Sequence, residues 1–226
     1  GFAVYGKPAD NNNEFVMRFK VAEQEDLNKG SSILSTIAER RAAVNGRMAE
    51  HNAKILTEVD ATEYAYRYAF SFDGDDAALE KMTRYIEELE GAEILSLGRG
   101  LELVKDLGDA NVVSDQYGLK GFQGTHALGH TRMATESDVD IRSAHPYWAY
   151  PYNDISVVHN GQITNYWIMR RQMEFKGHRF LSNCDSELLA VYTADKLNDG
   201  YTLEDSLRQS IEEIDGVFTY VVATKD

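Results

Sequence analysis

The chain has 226 residues, enough for one large domain or two small ones, and its 43% hydrophobic residues are enough for a real core. A formal net charge of -14 repels both a nucleic-acid backbone and an anionic membrane surface, so neither is expected as a partner. The single cysteine, Cys184, excludes an internal disulfide framework and makes a cytoplasmic home the expectation. There is no apolar run of bilayer-spanning length, no signal-peptide pattern and no Cys/His spacing of a zinc site.

Gly1 to Tyr5 reads as a strand without a lead-in, Gly6 to Asn13 as a turn, and Glu14 to Val21 as the partner strand of a hairpin. A chain that opens inside a strand carries the expectation that its natural beginning lies upstream. Ser31 to Leu56 is helical in pattern through Ile33, Leu34, Ile37, Ala38 and Val44. Asn45-Gly46 is an expected interruption, with Met48, Ile55 and Leu56 in a second helix or a loop. Tyr64, Tyr66, Tyr68, Phe70 and Phe72 alternate with small and polar residues, a strand whose one aromatic face packs a core. Asp73 to Asp76 caps a helix over Ala77 to Glu90, striped by Leu79, Met82, Ile86 and Leu89. Ile94 to Leu97 is a short strand, and the following Gly98-Arg99-Gly100 lacks the third glycine of a dinucleotide site.

In the second half, Arg132 stands among small and polar residues, where its planar fork suits a carboxylate. His145 lies in a loop before the aromatic cluster Trp148, Tyr150 and Tyr152. Ile155, Val157 and Val158 make a buried strand that runs into Asn160-Gly161, the strongest short-range turn signal. A strand halted at a tight turn would set an amide side chain beside a glycine N–H, the raw material of an oxyanion hole. A helix over Tyr166 to Phe175 follows, with Thr164 or Asn165 as its cap and Ile168, Met169 and Met173 inward. Asp185 falls in the first turn of the next helix, where a carboxylate complements the dipole. Thr202 to Ile214 is a further amphipathic helix, and Val217 to Ala223 a last strand. Such alternation predicts one α+β domain carrying an internal insertion.

Four pieces occur in order: His130-Thr131-Arg132-Met133-Ala134-Thr135, Ser143-Ala144-His145-Pro146, Val158 to Tyr166, and Cys184-Asp185-Ser186-Glu187. Together they resemble the class II glutamine amidotransferases, and the long segment between Lys20 and Gln123 looks closer to the glutamate-synthase branch, of GlxB type, than to the smallest family members. The resemblance implies a four-layer αββα sandwich of the N-terminal-nucleophile type over residues 1–226, with a family-variable helical insertion at 22–120. It implies that Arg132 and Thr135 hold the α-carboxylate of L-glutamine, Asp185 its α-ammonium, and His145 supports the pocket. Asn160, by its side chain, and Gly161, by its backbone N–H, would stabilise the oxyanion as a thioester forms and hydrolyses. The family nucleophile is an N-terminal cysteine; residue one here is glycine, so the expectation is that the nucleophile segment, like C-terminal strands, lies outside the given chain. Cys184 is read as a buried small residue, and Glu136 as a carboxylate that could repel the substrate's own. Ammonia would pass to synthase subunits in an oligomeric complex. Flavin or an iron–sulfur cluster is left to those partners, since this chain shows no cofactor ligands. The rival reading is a catalytically inactive scaffold or amino-acid-sensing subunit with the same fold.

Overall fold

The computed structural model describes residues 1–6, 14–23, 26–27, 31–131, 141–150 and 152–225. Its elements in chain order begin with β1 (Phe2–Tyr5), β2 (Glu14–Lys20), α1 (Ser31–Glu50), β3 (Lys54–Asp60), β4 (Ala65–Ser71), α2 (Asp76–Glu87), β5 (Glu93–Gly98) and β6 (Leu101–Val104). There follow α3 (Ala110–Gln116), β7 (His126–Gly129), β8 (Tyr147–Ala149), β9 (Tyr152–Ile163), α4 (Tyr166–Phe175), α5 (Asp185–Asn198), α6 (Leu203–Glu213) and β10 (Gly216–Thr224). The chain divides into two compact units of mixed α and β structure with antiparallel sheets. One comprises Val4–Val104 and Ser114–Thr125; the other Gly1–Ala3, Lys105–Val113 and His126–Asp226.

The first unit is built on a four-stranded sheet of order β3-β4-β2-β5. Alternation along β2 and β4 puts Phe15, Met17 and Phe19 on the same face as Tyr66, Tyr68 and Phe70, and all six are buried. Phe15 stacks on Phe70 at 5.7 Å, and Phe19 meets Tyr68 edge to face at 4.9 Å. Arg41 of α1 lies over the Tyr66 ring at 4.2 Å and donates to the Tyr68 hydroxyl, so the aromatic face is a core wall, as its alternation predicts. Asp75 caps α2 by accepting from the Ala78 N–H, and Leu79, Met82 and Ile86 are buried beneath it.

Two expectations fail here for physical reasons. The hairpin of β1 with β2 does not form: β2 takes β4 and β5 as its neighbours, because its aromatic stripe finds a matching one on β4. Its expected turn, Gly6 to Asn13, falls largely outside the described residues. Asn45-Gly46 does not break α1 either. Val44 and Met48, one turn apart and both fully buried, anchor the helix on each side, which outweighs the roughly 1 kcal/mol cost of a helical glycine. The helix ends instead at Asn52, in the left-handed conformation at φ 61°, and Ile55 and Leu56 fall on the edge strand β3.

The second unit holds a sheet of order β10-β9-β8, with β9 and β10 in continuous register from Ile155↔Thr224 to Ile163↔Gly216. Helix α5 is buried from Ser186 to Asp195 and packs with Val157, Ile163, Met169, Met173 and Ile214 in one core. Ile168, expected inward on α4, is exposed instead. Asn165 stands at the N-cap of α4 but makes no cap bond. Its side chain donates to the Glu213 carbonyl and accepts from the Asp215 N–H, clamping the entry of α4 to the start of β10.

Phe70→Ala should lower unfolding free energy by about 3–5 kcal/mol in urea titrations, the range for emptying a buried aromatic site. Leu34→Ala, at a position 55% exposed despite its place in the apolar pattern of α1, should stay within about 0.5 kcal/mol of the parent.

Candidate active site

Asn160-Gly161 is not a turn. β9 runs straight through it, Asn160 opposite Thr219 and Gly161 opposite Phe218, and the chain leaves the strand only at Thr164-Asn165. The long ladder with β10 outweighs the local turn preference. The glycine is nonetheless required. Its φ is 138°, and a Cβ there would lie 2.3 Å from the Val217 carbonyl oxygen and 2.5 Å from the Phe218 Cα. Only a residue without a side chain lets β10 approach so closely. Asn160 is exposed at this point of the strand, so its amide is accessible.

Asp185, the first residue of α5, reaches this strand. Its Oδ2 accepts the Ile163 N–H at 2.9 Å, two residues past Gly161. Its Oδ1 takes a bond from the Ser186 hydroxyl at 3.3 Å and lies 3.9 Å from Nδ1 of His159. Residues 24 positions apart in sequence thus come within two strand residues of each other, a span of about 7 Å.

The approach of α5 is fixed by Glu187. This buried carboxylate accepts the Leu181 and Ser182 N–H groups, each at 2.7 Å, and the Ser182 hydroxyl at 2.6 Å. It stands at the third helical position, as in a capping box, but satisfies the backbone ahead of the N-cap residue Cys184. Burial pushes its carboxyl up, while these donors and Lys105 pull it down. Lys105 is itself buried and lies 4.8 Å from the centre of the Tyr147 ring. Arg170 of α4 ties the same segment down through the Ser182 carbonyl at 2.7 Å.

Histidines complete the surroundings. His159 is buried, its Nδ1 2.7 Å from the Ser186 hydroxyl; burial lowers its pKa, and Asp185 acts in the opposite sense. His145 is also buried, its ring 4.2 Å from that of His130 and 6.5 Å from that of His159. His130 in turn exchanges two backbone hydrogen bonds with Gly1, at 2.9 and 3.0 Å. Cys184 is a buried free thiol, as expected of a packing residue.

Of the residues picked out from sequence, Asn160, Gly161, Asp185 and His145 therefore fall in the second unit, the first three within a few residues of one contact. Arg132, Thr135 and Glu136 lie outside the described residues. His159, Ser186, Glu187 and Lys105 were given no role in the sequence reading. His159 was detectable: it shares the inward parity of Val157 and Ile163, and a histidine on a buried strand face needs a partner. Lys105, 82 residues before Glu187, left no such signal. Among the described residues no cluster of His, Cys, Asp or Glu is arranged to hold a metal ion, and no helix is long and apolar enough to cross a membrane.

Residues 130–226 match the family described as glutamine amidotransferase domain. Over 224 residues the chain is 36% identical to a protein of Methanothermobacter thermautotrophicus named as a glutamine amidotransferase, spanning 99% of this chain and 70% of that one. It is 35% identical over 132 residues to the glutamine amidotransferase-like protein GlxB of Rhizobium meliloti, covering 58% of this chain and 43% of that one. With the glutamine–fructose-6-phosphate aminotransferase of Thermus thermophilus it shares 34% identity over 127 residues, 56% of this chain and 20% of that one. A solved structure of the allosteric regulatory enzyme of purine biosynthesis aligns at 16% identity and a TM-score of 0.43, over 93% of this chain and 35% of that one. The near full-length relative and the domain match together establish that the chain belongs to the class II glutamine amidotransferases. It spans less than half of GlxB and a fifth of the aminotransferase.

Gly161→Ala should cost about 3 kcal/mol or more, since backbone strain and a clash with β10 combine, whereas Gly177→Ala, at φ 96° with open space around it, should cost about 1–2 kcal/mol. Urea denaturation of the two variants makes the comparison. The His159 imidazole should titrate below its ordinary value of 6.5, as NMR of the ring carbons would show. Because its folded pKa is lowered, the stability it contributes is present above pH 6.5 and is lost as pH falls through the folded value.

Proposed function

We propose that this chain is the glutamine-hydrolysing part of a glutamate-synthase-like amidotransferase, releasing ammonia for a partner subunit. The observation that supports this most directly is the Asp185 to Ile163 hydrogen bond. It sets a carboxylate suited to an α-ammonium two strand residues, about 7 Å, from Gly161, with Asn160 next along the strand. That separation is comparable to the length of a five-carbon amino acid from α-nitrogen to side-chain amide. In this reading Asp185 orients the ammonium group, and Arg132 with Thr135 holds the α-carboxylate. The Asn160 side chain and the Gly161 N–H donate to the oxyanion that develops when a thiolate attacks the amide carbon. His145, which is buried, serves as a supporting wall of the pocket. The reaction releases ammonia, then glutamate when water cleaves the thioester. Cys184 is not assigned as nucleophile, because it is packed in the core with Leu188 and Tyr147. Residues 22–120 are proposed as the family-variable insertion, and the whole as a cytoplasmic oligomer in the four-layer sandwich arrangement.

The reading is tested in the protein at its natural full length. Asn160→Ala should lower kcat for glutamine by about 10²–10³-fold, the usual loss for one oxyanion donor. Asp185→Asn should act mainly on KM, raising it roughly 10- to 150-fold as a charge-assisted bond worth about 1.5–3 kcal/mol is weakened. Unchanged kinetics in both variants would overturn the assignment. Calorimetric binding of glutamine without turnover would instead favour the sensing or scaffold role.

A further inference from the structure

A second candidate site lies wholly within the first unit, on the sheet face opposite the aromatic residues. The register of β2 with β4 puts Arg18 directly opposite Arg67, and like charges so placed repel. Glu102 of β6 stands between them. Its Oε2 takes Nε and Nη2 of Arg18, both at 2.7 Å, and Nε of Arg67 at 2.9 Å, while its Oε1 takes Nη2 of Arg67 at 2.8 Å. Burial pushes the Glu102 carboxyl up, but the two guanidiniums outweigh it and hold it below the usual range. Among the described residues lining this place, two cations share one carboxylate, which leaves one positive charge over. Arg18 is buried, and that burial lowers its pKa in spite of Glu102.

These three side chains line a cleft of about 260 Å³, together with Gly6, Phe122 and Gln123 among others, and they are the only ionisable groups among its described lining residues. The Phe122 ring lies 4.6 Å from the Arg18 guanidinium carbon and closes one side. Glu102 uses only the Nε and Nη2 edges, so Nη1 of each arginine is uncommitted to it. A space of this size has room for an organic acid of a few carbons.

We propose that this cleft binds a small monocarboxylate, independently of the glutamine site. Nη1 of Arg18 and of Arg67 hold the carboxylate, and the Gln123 amide contacts the rest of the molecule. One negative charge cancels the one spare positive charge. A phosphate dianion would exceed it and face the Glu102 carboxylate.

The probes are acetate and pyruvate, with inorganic phosphate and chloride as controls at matched ionic strength, followed through the arginine Nε–H signals by NMR. Saturable shifts at Arg18 and Arg67 with millimolar carboxylate, and weaker binding of phosphate, are expected. Arg67→Gln should abolish saturation. Glu102→Gln, which removes the competing negative charge, should tighten carboxylate binding several-fold. Shifts that grow without saturating, as with chloride, would mean a purely structural ion triad and overturn the proposal. Tighter binding of phosphate than of either acid would overturn the ligand class. If Arg67→Gln does not fold, Glu102→Gln decides: no gain in affinity counts against the site.

Discussion

A single hydrogen bond organises the second unit: the Asp185 carboxylate accepting the Ile163 N–H. A carboxylate in the first turn of a helix ordinarily serves its own helix, by complementing the dipole or capping free N–H groups. Here it also takes the backbone of a neighbouring strand, so the start of α5 and the end of β9 cannot move independently. The bond needs two things in place. The loop before α5 must hold its shape, which Glu187 ensures by satisfying two N–H groups and a hydroxyl from a buried position. β9 must also present its N–H at the right level, which depends on its register with β10.

That register rests on Gly161. A side chain there would collide with the backbone of β10, so the close approach of the two strands and the unusual φ at this glycine are one constraint seen from two sides. The same constraint leaves Asn160 facing outward beside a glycine N–H. The electrostatics follow from the packing: burial of His159 opposes its protonation, and the Asp185 carboxylate, 3.9 Å from its Nδ1, favours it.

Much of the fold was legible because side-chain periodicity and burial agree. The alternating aromatics of β4 and Leu79, Met82 and Ile86 of α2 lie where their spacing puts them. The failures share a cause, since each rested on a local signal that a distant partner overruled. Asn160-Gly161 and Asn45-Gly46 are turn-like pairs, yet one sits in a strand fastened to β10 and the other in a helix anchored by Val44 and Met48. Ile55 and Leu56 went unrecognised as a strand because an edge strand buries few of its side chains and shows a weak period. In the site, the residues with specific chemistry were recognisable as types. Their support, Glu187 with Lys105 and His159 with Ser186, depends on tertiary proximity that no spacing encodes.

Burial of α5 along ten consecutive residues has a consequence for dynamics. A helix covered on nearly every side has no inexpensive local opening, so its amide protons can exchange with solvent only when most of the second unit opens together. Fraying of its first turn is further opposed by the Glu187 anchor. The carboxylate of Asp185 is thus mounted on one of the slowest-exchanging segments of the unit, while Asn160 stands on a strand face open to solvent.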